Sequence, residues 1–185
     1  MYVGVQGIGT SQHELHFLLR HGVTHMDTQV DPDNLDRIAQ QREEAAAEGV
    51  ELEMMHIPMP ESITFADDTR RDRDLDTLCT WVEAAGKAGL RGLNYNFTVV
   101  GYQRTPNRYG RGGSVYSSFE FTKYDNDEPH PGGRIDRDEI FARIAYFLER
   151  VIPVAEEYKV RMASHLPDPP APELRGEVRW NYPVF

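Results

Sequence analysis

The sequence is poor in the features that mark several classes of protein. Its 185 residues include a single cysteine, Cys79, which excludes an intrachain disulfide framework and any cysteine-rich zinc site. No stretch approaches the ~20 consecutive apolar residues of a membrane span, so we expect no membrane partner. The first ten residues, MYVGVQGIGT, lack the basic region and apolar stretch of a secretory signal. We therefore expect a globular protein of the cytoplasm.

Positive charge is also scarce. Twenty Lys and Arg residues stand against 30 Asp and Glu residues, which gives a formal net charge of -10. Nucleic-acid binding depends largely on Lys and Arg side chains that neutralise phosphates, and an acidic surface repels them. We expect no nucleic-acid partner.

One unit recurs along the chain: an apolar helical period, a closing glycine and a short strand-like run. Gly22, Gly49 and Gly89 close the first three copies, and the fourth copy, AEEYKVRMASH, lacks the glycine. Glycine just past a helix end is the expected cap, because it enters the left-handed conformation without steric penalty. With YVGVQ in front, five strands alternate with four helices, which is typical of βαβ units on a parallel sheet.

Proline and aspartate positions add detail to the predicted helices. Asp31 and Pro32 are interpreted as the cap and first turn of the second helix. Pro153 falls inside the apolar period of the last helix, where it should kink or divide that helix because it removes a hydrogen bond.

Two architectures fit this alternation: an open doubly wound sheet and the first part of a (β/α)8 TIM barrel. Doubly wound nucleotide binders usually carry a glycine-rich turn, and Gly4, Gly7 and Gly9 match it only loosely. In a barrel, chemistry is done at the carboxyl ends of the strands. The polar residues there are Gln6, Asp27, Gln29, His56, Asn94, Asn96 and His165. We predict an incomplete TIM barrel of about five parallel strands and four main helices, as one domain over residues 1–185, although turns alone also place polar residues after strands.

The longest predicted loop follows the fourth strand, from about residue 99 to residue 135, and is rich in aromatic residues. Loops of this length in compact domains are usually functional or disordered. Arg104, Arg108 and Arg111 lie among its glycines, and guanidinium groups can grip a carboxylate bidentately. A small acidic substrate would suit them. A plain surface loop that pairs with the excess of acidic residues is the alternative.

Three stretches resemble mannonate dehydratases. DEIFARIAYFLERVIPVAEEYKVRMASHLPDPPAPELRG is similar to a helix and a histidine-ended strand of that family, with its proline-rich tail. LNYNFTVVGYQRT resembles the family's asparagine-containing strand and arginine-bearing loop, and GRGGSVYSSF is similar to a loop of a divergent branch. The resemblance implies a xylose-isomerase-like barrel that dehydrates D-mannonate, a sugar acid of glucuronate catabolism, to 2-dehydro-3-deoxy-D-gluconate. It also implies Mn2+, or Fe2+, as the metal.

The resemblance carries roles onto particular residues. It implies that His165 is a metal ligand, that Arg104 binds the substrate carboxylate, and that Asn96 and His56 contact substrate hydroxyls. Where the family has two acids after the histidine, this chain has Leu166 and Pro167. That difference puts the hydrogen-bond support of the metal ligand in doubt.

Length limits what the chain is expected to do alone. A full barrel takes roughly 250 residues, so we expect the remaining ligands and the catalytic residues to lie beyond residue 185. The first and fifth strands would then expose unpaired edges that favour a homo-oligomer. Two alternatives stay open: a related metal-dependent sugar isomerase or epimerase, and a non-catalytic barrel fragment.

Overall fold

A sheet of five parallel strands organises residues 2–7 and 9–179, the part of the chain that this computed structural model describes. Its strands are β1 (Gly4–Val5), β2 (His25–Gln29), β3 (Glu51–His56), β4 (Gly92–Tyr95) and β7 (Arg161–Ser164), and they lie side by side in chain order. A doubly wound sheet would place the first strand between later ones. The sequential parallel order therefore confirms the barrel-type prediction and contradicts the doubly wound alternative.

Helices connect the strands and cover one face of the sheet. They are α1 (Gln12–Arg20), α2 (Arg37–Ala47), the single turn α3 (Glu61–Thr64), α4 (Arg71–Lys87) and α5 (Arg137–Glu157). The apolar side chains of β3 and β4, such as Met55 and Leu93, are fully buried in one core with Leu78 of α4 and Phe147 of α5. The polar side chains between them, on alternate strand positions, are thereby turned to the opposite face.

The predicted glycine turns are confirmed. Gly22, Gly49 and Gly89 have φ angles of 74°, 89° and 76°. After each glycine, the next residue donates its N–H back to a carbonyl in the last helical turn, as Val50 does to Ala45 at 3.0 Å. Lys159 takes the same position in the fourth copy with φ 57°, in a conformation that usually disfavours a side chain.

One predicted helix start is wrong, and of the two effects predicted for Pro153, a kink or a division, the division does not occur. Helix α2 begins at Arg37, not at Asp31 and Pro32, because residues 31–36 form separate turns in which Asn34 N–H donates to the Asp31 carbonyl at 3.1 Å. Pro153 does not divide α5, which runs from Arg137 to Glu157. One missing N–H removes only one hydrogen bond, and burial of the flanking Val151 and Ala155 holds the helix against the sheet.

The predicted long loop contains regular structure. An antiparallel hairpin of β5 (Thr105–Tyr109) and β6 (Val115–Ser118) projects from it, and a second hairpin of β8 (Glu173–Leu174) and β9 (Glu177–Val178) follows the sheet. A small apolar cluster joins the loop to this tail; its buried members are Val100, Ala171 and Leu174. The loop is therefore anchored at its base.

The sheet has two outer strands in the described part of the chain. There, β1 pairs only with β2, and β7 pairs only with β4. Unpaired backbone groups on such edges favour further strand pairing. Among the described helices, none combines the length and apolar character that crossing a membrane requires.

Candidate functional site

The carboxyl ends of the parallel strands meet at one end of the sheet and surround an open cavity of about 370 Å³. The wall is formed by residues at or near the ends of β1, β2 and β3, together with His165, which follows β7. The lining residues are Gln6, Gly7, Asp27, Gln29, His56, Tyr102 and His165. Strand-end residues therefore do meet at one cavity, and two of the predicted site residues, His56 and His165, are among them.

The imidazole of His165 is fixed in one tautomer by its neighbours. Its backbone N–H donates to the Tyr95 carbonyl at 2.7 Å, which continues the pairing of β7 with β4 past the strand end. Its Nδ1 lies 2.6 Å from the Leu166 carbonyl oxygen. A carbonyl oxygen only accepts, so Nδ1 carries a proton, and in the neutral ring the lone pair lies on Nε2. That arrangement is common for a metal-binding histidine.

His56 lies at the end of β3 with its ring half-buried. Burial lowers the pKa of His56, a hydrogen bond with Asn94 opposes the shift, and the nearby His165 adds to the lowering. Within the described residues its buried Nδ1 has no hydrogen-bond partner. A neutral imidazole with a free nitrogen can bind a ligand hydroxyl, either as donor or as acceptor.

Asp27 is a cavity residue that was visible at a strand end in the sequence but not selected from it. Burial raises the pKa of Asp27 to about 6, although hydrogen bonds from Asn94 and from the Gly7 backbone oppose the shift. Its buried Oδ1 lacks a partner in the described part of the chain, as does Oδ1 of Asn94. The strand-end position was the signal for both residues, and the shortage of partners is apparent only in the fold.

Arg104 lies beside this cavity rather than in its wall. One guanidinium nitrogen pairs with the Asp168 carboxylate and another donates to the Gln103 carbonyl at 2.8 Å. The Arg104 Cζ lies 5.8 Å from the centre of the Tyr102 ring. Tyr102 meets the His165 ring edge-on, with 5.8 Å between ring centres. Tyr102 thus connects Arg104 to His165.

The other predicted residues are placed differently. Asn96 follows β4 and is half-buried, but it is not among the described residues that line the His165 cavity. Arg108 pairs with Glu120 next to its own hairpin. Arg111 is exposed in the turn at the hairpin tip. Of the three loop arginines, only Arg104 lies next to the His165 cavity, because Arg108 and Arg111 belong to the projecting hairpin.

The described residues do not by themselves form a metal site. Within residues 2–7 and 9–179, no three side chains of His, Cys, Asp or Glu come close enough together to hold an ion. His165 has the tautomer and the exposed lone pair that a ligand needs, but a stable site for Mn2+ takes several ligands. A complete site requires groups from elsewhere.

Comparisons with known proteins agree with the resemblance seen in the sequence. A family model for D-mannonate dehydratase (UxuA) matches residues 128–179. Mannonate dehydratase from Shouchella clausii is 28% identical, across 74% of this chain and 47% of that protein. Mannonate dehydratase 1 from Halalkalibacterium halodurans is 25% identical, across 75% and 47%. The resemblance to mannonate dehydratases is confirmed, and the chain spans about half the length of these relatives.

Solved structures confirm the fold class. Mannonate dehydratase from Streptococcus suis serotype 2 superposes with a TM-score of 0.78 at 22% identity, over 97% of this chain and 57% of that one. D-psicose 3-epimerase from Clostridium cellulolyticum H10 superposes with a TM-score of 0.57 at 14% identity, over 90% and 52%. At these identities the similarity concerns the fold, which is a partial TIM barrel.

Proposed function

We propose that this chain provides part of the barrel of a mannonate dehydratase-like hydro-lyase, which converts D-mannonate to 2-dehydro-3-deoxy-D-gluconate. One observation carries the proposal: the family match over residues 128–179 contains His165, whose Nε2 is free at the cavity. Because the chain spans 47% of the relatives, the activity of the whole enzyme would need a complementary part of the barrel.

His165 is our candidate ligand for Mn2+ or Fe2+. The Leu166 carbonyl would hold the ring and its tautomer, and the remaining ligands would come from the complementary part. When bound, the metal would act as a Lewis acid that stabilises negative charge beside the substrate carboxylate. The missing acids after His165 leave the Leu166 carbonyl as the group that orients the ligand.

Arg104 is our candidate for the substrate carboxylate. Its guanidinium has five donor hydrogens, so the bonds to Asp168 and Gln103 leave donors for a second carboxylate. His56 and Asn96 are the candidates for hydroxyl contacts. The described residues would thus bind and orient the sugar acid, while removal of the proton and protonation of the leaving hydroxide would need groups outside this set.

We also propose a cytoplasmic location, a role in glucuronate catabolism, and self-association through the sheet edges. The single cysteine suits a reducing compartment. The outer strands β1 and β7 offer the unpaired backbone groups that a second copy could use. We expect light scattering of the purified chain to give a mass above that of a monomer; a strictly monomeric chain would contradict the self-association.

A chimera tests the activity. This chain would be joined to the part of the Shouchella clausii relative that the similarity does not cover, then supplied with Mn2+ and D-mannonate and assayed for the 2-keto product. We expect the chimera to turn over D-mannonate, and His165→Ala to reduce that turnover. Loss of a hydrogen-bond partner of a metal ligand typically costs roughly 10- to 100-fold, and loss of the ligand itself should cost more. His13→Ala, on the exposed start of α1, is the matched control. A folded chimera without turnover would contradict the proposal.

Two further assays address the alternatives. D-psicose offered to the chimera tests an epimerase, which the fold similarity alone favours. The chain without a partner should bind Mn2+ weakly and dehydrate little D-mannonate. Robust turnover by a monomer of this chain would mean that the described cavity holds a full catalytic set.

A further inference from the structure

We propose that Asp27 and Asn94, with His56 between their strands, form a binding site for the hydroxyl groups of a polyhydroxy ligand. For the class of ligand, a sugar acid, the inference rests on the proposed function. It adds residues that belong neither to the predicted metal ligand nor to the predicted carboxylate site.

The three side chains come together because of strand register. Residues Gln29, His56 and Asn94 are paired neighbours across β2, β3 and β4. Asp27 precedes Gln29 by two residues, so its side chain points to the same face of the sheet. The opposite face is occupied by the core, where Met55 and Leu93 are fully buried. All three polar side chains therefore point toward the concave side, where Asp27 and His56 line the cavity.

Each of these side chains keeps a buried polar atom without a partner among the described residues: Oδ1 of Asp27, Nδ1 of His56 and Oδ1 of Asn94. Buried polar atoms in folded proteins are nearly always hydrogen-bonded, because leaving them unpaired is unfavourable. These three atoms lie on adjacent strands, and two of the side chains, Asp27 and His56, line the same cavity, where a ligand can complete the bonding.

The chemistry of the free atoms selects the ligand. A carboxylate oxygen and an amide oxygen both accept, so their partner must donate. Hydroxyl groups donate, whereas a ligand carboxylate or phosphate would meet acceptors and be repelled. Burial raises the pKa of Asp27 only to about 6, so the side chain is an acceptor at neutral pH. The site therefore suits the hydroxyl-bearing carbons of a sugar acid, and Arg104 is left for its carboxylate.

The test uses the full chain and three probes: D-mannonate, D-mannitol, which has the hydroxyls without the carboxylate, and acetate, which has the carboxylate alone. Binding would be followed by amide chemical shifts in NMR titrations. We expect Asp27→Leu, which has nearly the same volume, to weaken D-mannitol and D-mannonate binding by about tenfold or more, as expected for loss of a hydrogen bond to a charged group. Acetate binding should not change.

Asp33→Leu is the matched control, because Asp33 is an exposed carboxylate in the segment after β2. It should bind all three probes as the parent chain does. A melting temperature for Asp27→Leu at or above that of the parent would show that Asp27 is retained for binding and not for folding. If Asp27→Leu fails to fold, Asp27→Asn should still weaken D-mannitol binding several-fold, because its amide exchanges an acceptor for a donor.

The outcomes separate this inference from the proposed function. Equal D-mannitol affinity in the parent and in a folded Asp27 variant would overturn the hydroxyl site. So would a parent chain that binds no D-mannitol. Binding of D-mannitol that depends on Asp27, together with a folded chimera that fails to dehydrate D-mannonate, would support the site and overturn the dehydratase proposal.

Discussion

Two enclosed carboxylates, Glu177 and Asp27, have opposite surroundings. Glu177 is 2% exposed and accepts hydrogen bonds from Val99 N–H at 3.0 Å and Val100 N–H at 3.3 Å. It also accepts from the Thr98 hydroxyl and lies 3.5 Å from Arg179. Asp27 is half-buried, and its Oδ1 has no partner among the described residues.

The difference separates a part of the molecule that stabilises the fold from the part that we propose binds a ligand. The Glu177 network fixes the start of the loop that carries Tyr102 and Arg104. The Asp27 side chain is bonded by Asn94, but its Oδ1 lacks a partner among the described residues and burial makes its charge unfavourable. Changes at Glu177 should therefore alter stability, and changes at Asp27 should alter binding.

The largest effect is expected at Glu177. Glu177→Ala would leave the buried guanidinium of Arg179 without its counter-charge and two backbone N–H groups without acceptors. Removing one partner of a buried ion pair typically costs about 3–5 kcal/mol. We expect a loss of that size in the free energy of unfolding, measured with urea.

Glu173→Ala in the same hairpin is the control, because its ion pair with Arg134 is exposed. Exposed pairs contribute about 0–1 kcal/mol. Similar losses at Glu177 and Glu173 would remove the contrast between the two carboxylates. A partial recovery in Glu177→Ala with Arg179→Met would show that the uncompensated charge causes most of the loss.

The next effect concerns the pH dependence of stability at Asp27. Its pKa in the folded chain, about 6, exceeds the unfolded value of about 3.9. The folded state therefore binds the proton more tightly, and the contribution of Asp27 is fully present below about pH 4 and is lost as the pH rises through about 6. At pH 8, Asp27→Asn should unfold with a free energy on the order of 1–3 kcal/mol higher than the parent.

The measurement is the difference between the two chains in urea unfolding from pH 4 to pH 8. Subtraction removes the contribution of every other titrating group that both chains share. The gap should be near zero at the acid end and grow between about pH 4 and pH 6. A gap that is independent of pH would mean that Asp27 is not desolvated in the folded chain.

A change at Arg104 should affect ligand binding more than stability. Its pair with Asp168 is partly exposed, at 32% and 41% of the two side chains, so Arg104→Lys should lower stability by less than about 1 kcal/mol. Lysine cannot reproduce the bidentate geometry, so D-mannonate binding should weaken about tenfold, which is about 1.4 kcal/mol. Arg108→Lys, in the hairpin, is the control for binding. Unchanged D-mannonate affinity in Arg104→Lys would refute the assignment.

The sequence was sufficient to predict the frame of the fold. Helical apolar periods and the glycines at positions 22, 49 and 89 are local signals, and each determines a turn by steric preference alone. The same pattern locates the strand ends, and the structure brings two residues of those ends, His56 and His165, to one cavity.

The rest depends on contacts between distant parts of the chain. Glu177 bonds to Val99 across 78 residues, and no local pattern announces that pairing. Arg104 and Arg108 have similar sequence surroundings, yet in the fold Arg104 forms an ion pair with Asp168 and Arg108 forms one with Glu120. Asp27 and Asn94 stand out only because each keeps one buried oxygen without a partner among the described residues, which is apparent only from the packing of β2, β3 and β4.

The smallest effect is expected at the turn before β7. This turn belongs to the repeated helix-turn-strand pattern, although the strand that follows it ends next to His165. Lys159 adopts φ 57° where the other three copies have glycine. That conformation costs a non-glycine residue roughly 1–2 kcal/mol, and glycine gives back about 0.4–1 kcal/mol through the flexibility of the unfolded chain. Lys159→Gly should therefore stabilise the chain by about 0.5–1 kcal/mol, and Gly49→Ala should destabilise it by a similar amount because φ is 89° there. Urea unfolding gives both values, and neither variant should change D-mannitol binding. If Lys159→Gly altered D-mannitol affinity, this turn would control the cavity as well as the stability of the fold. The contrast between residues that stabilise the fold and residues that bind a ligand would then fail.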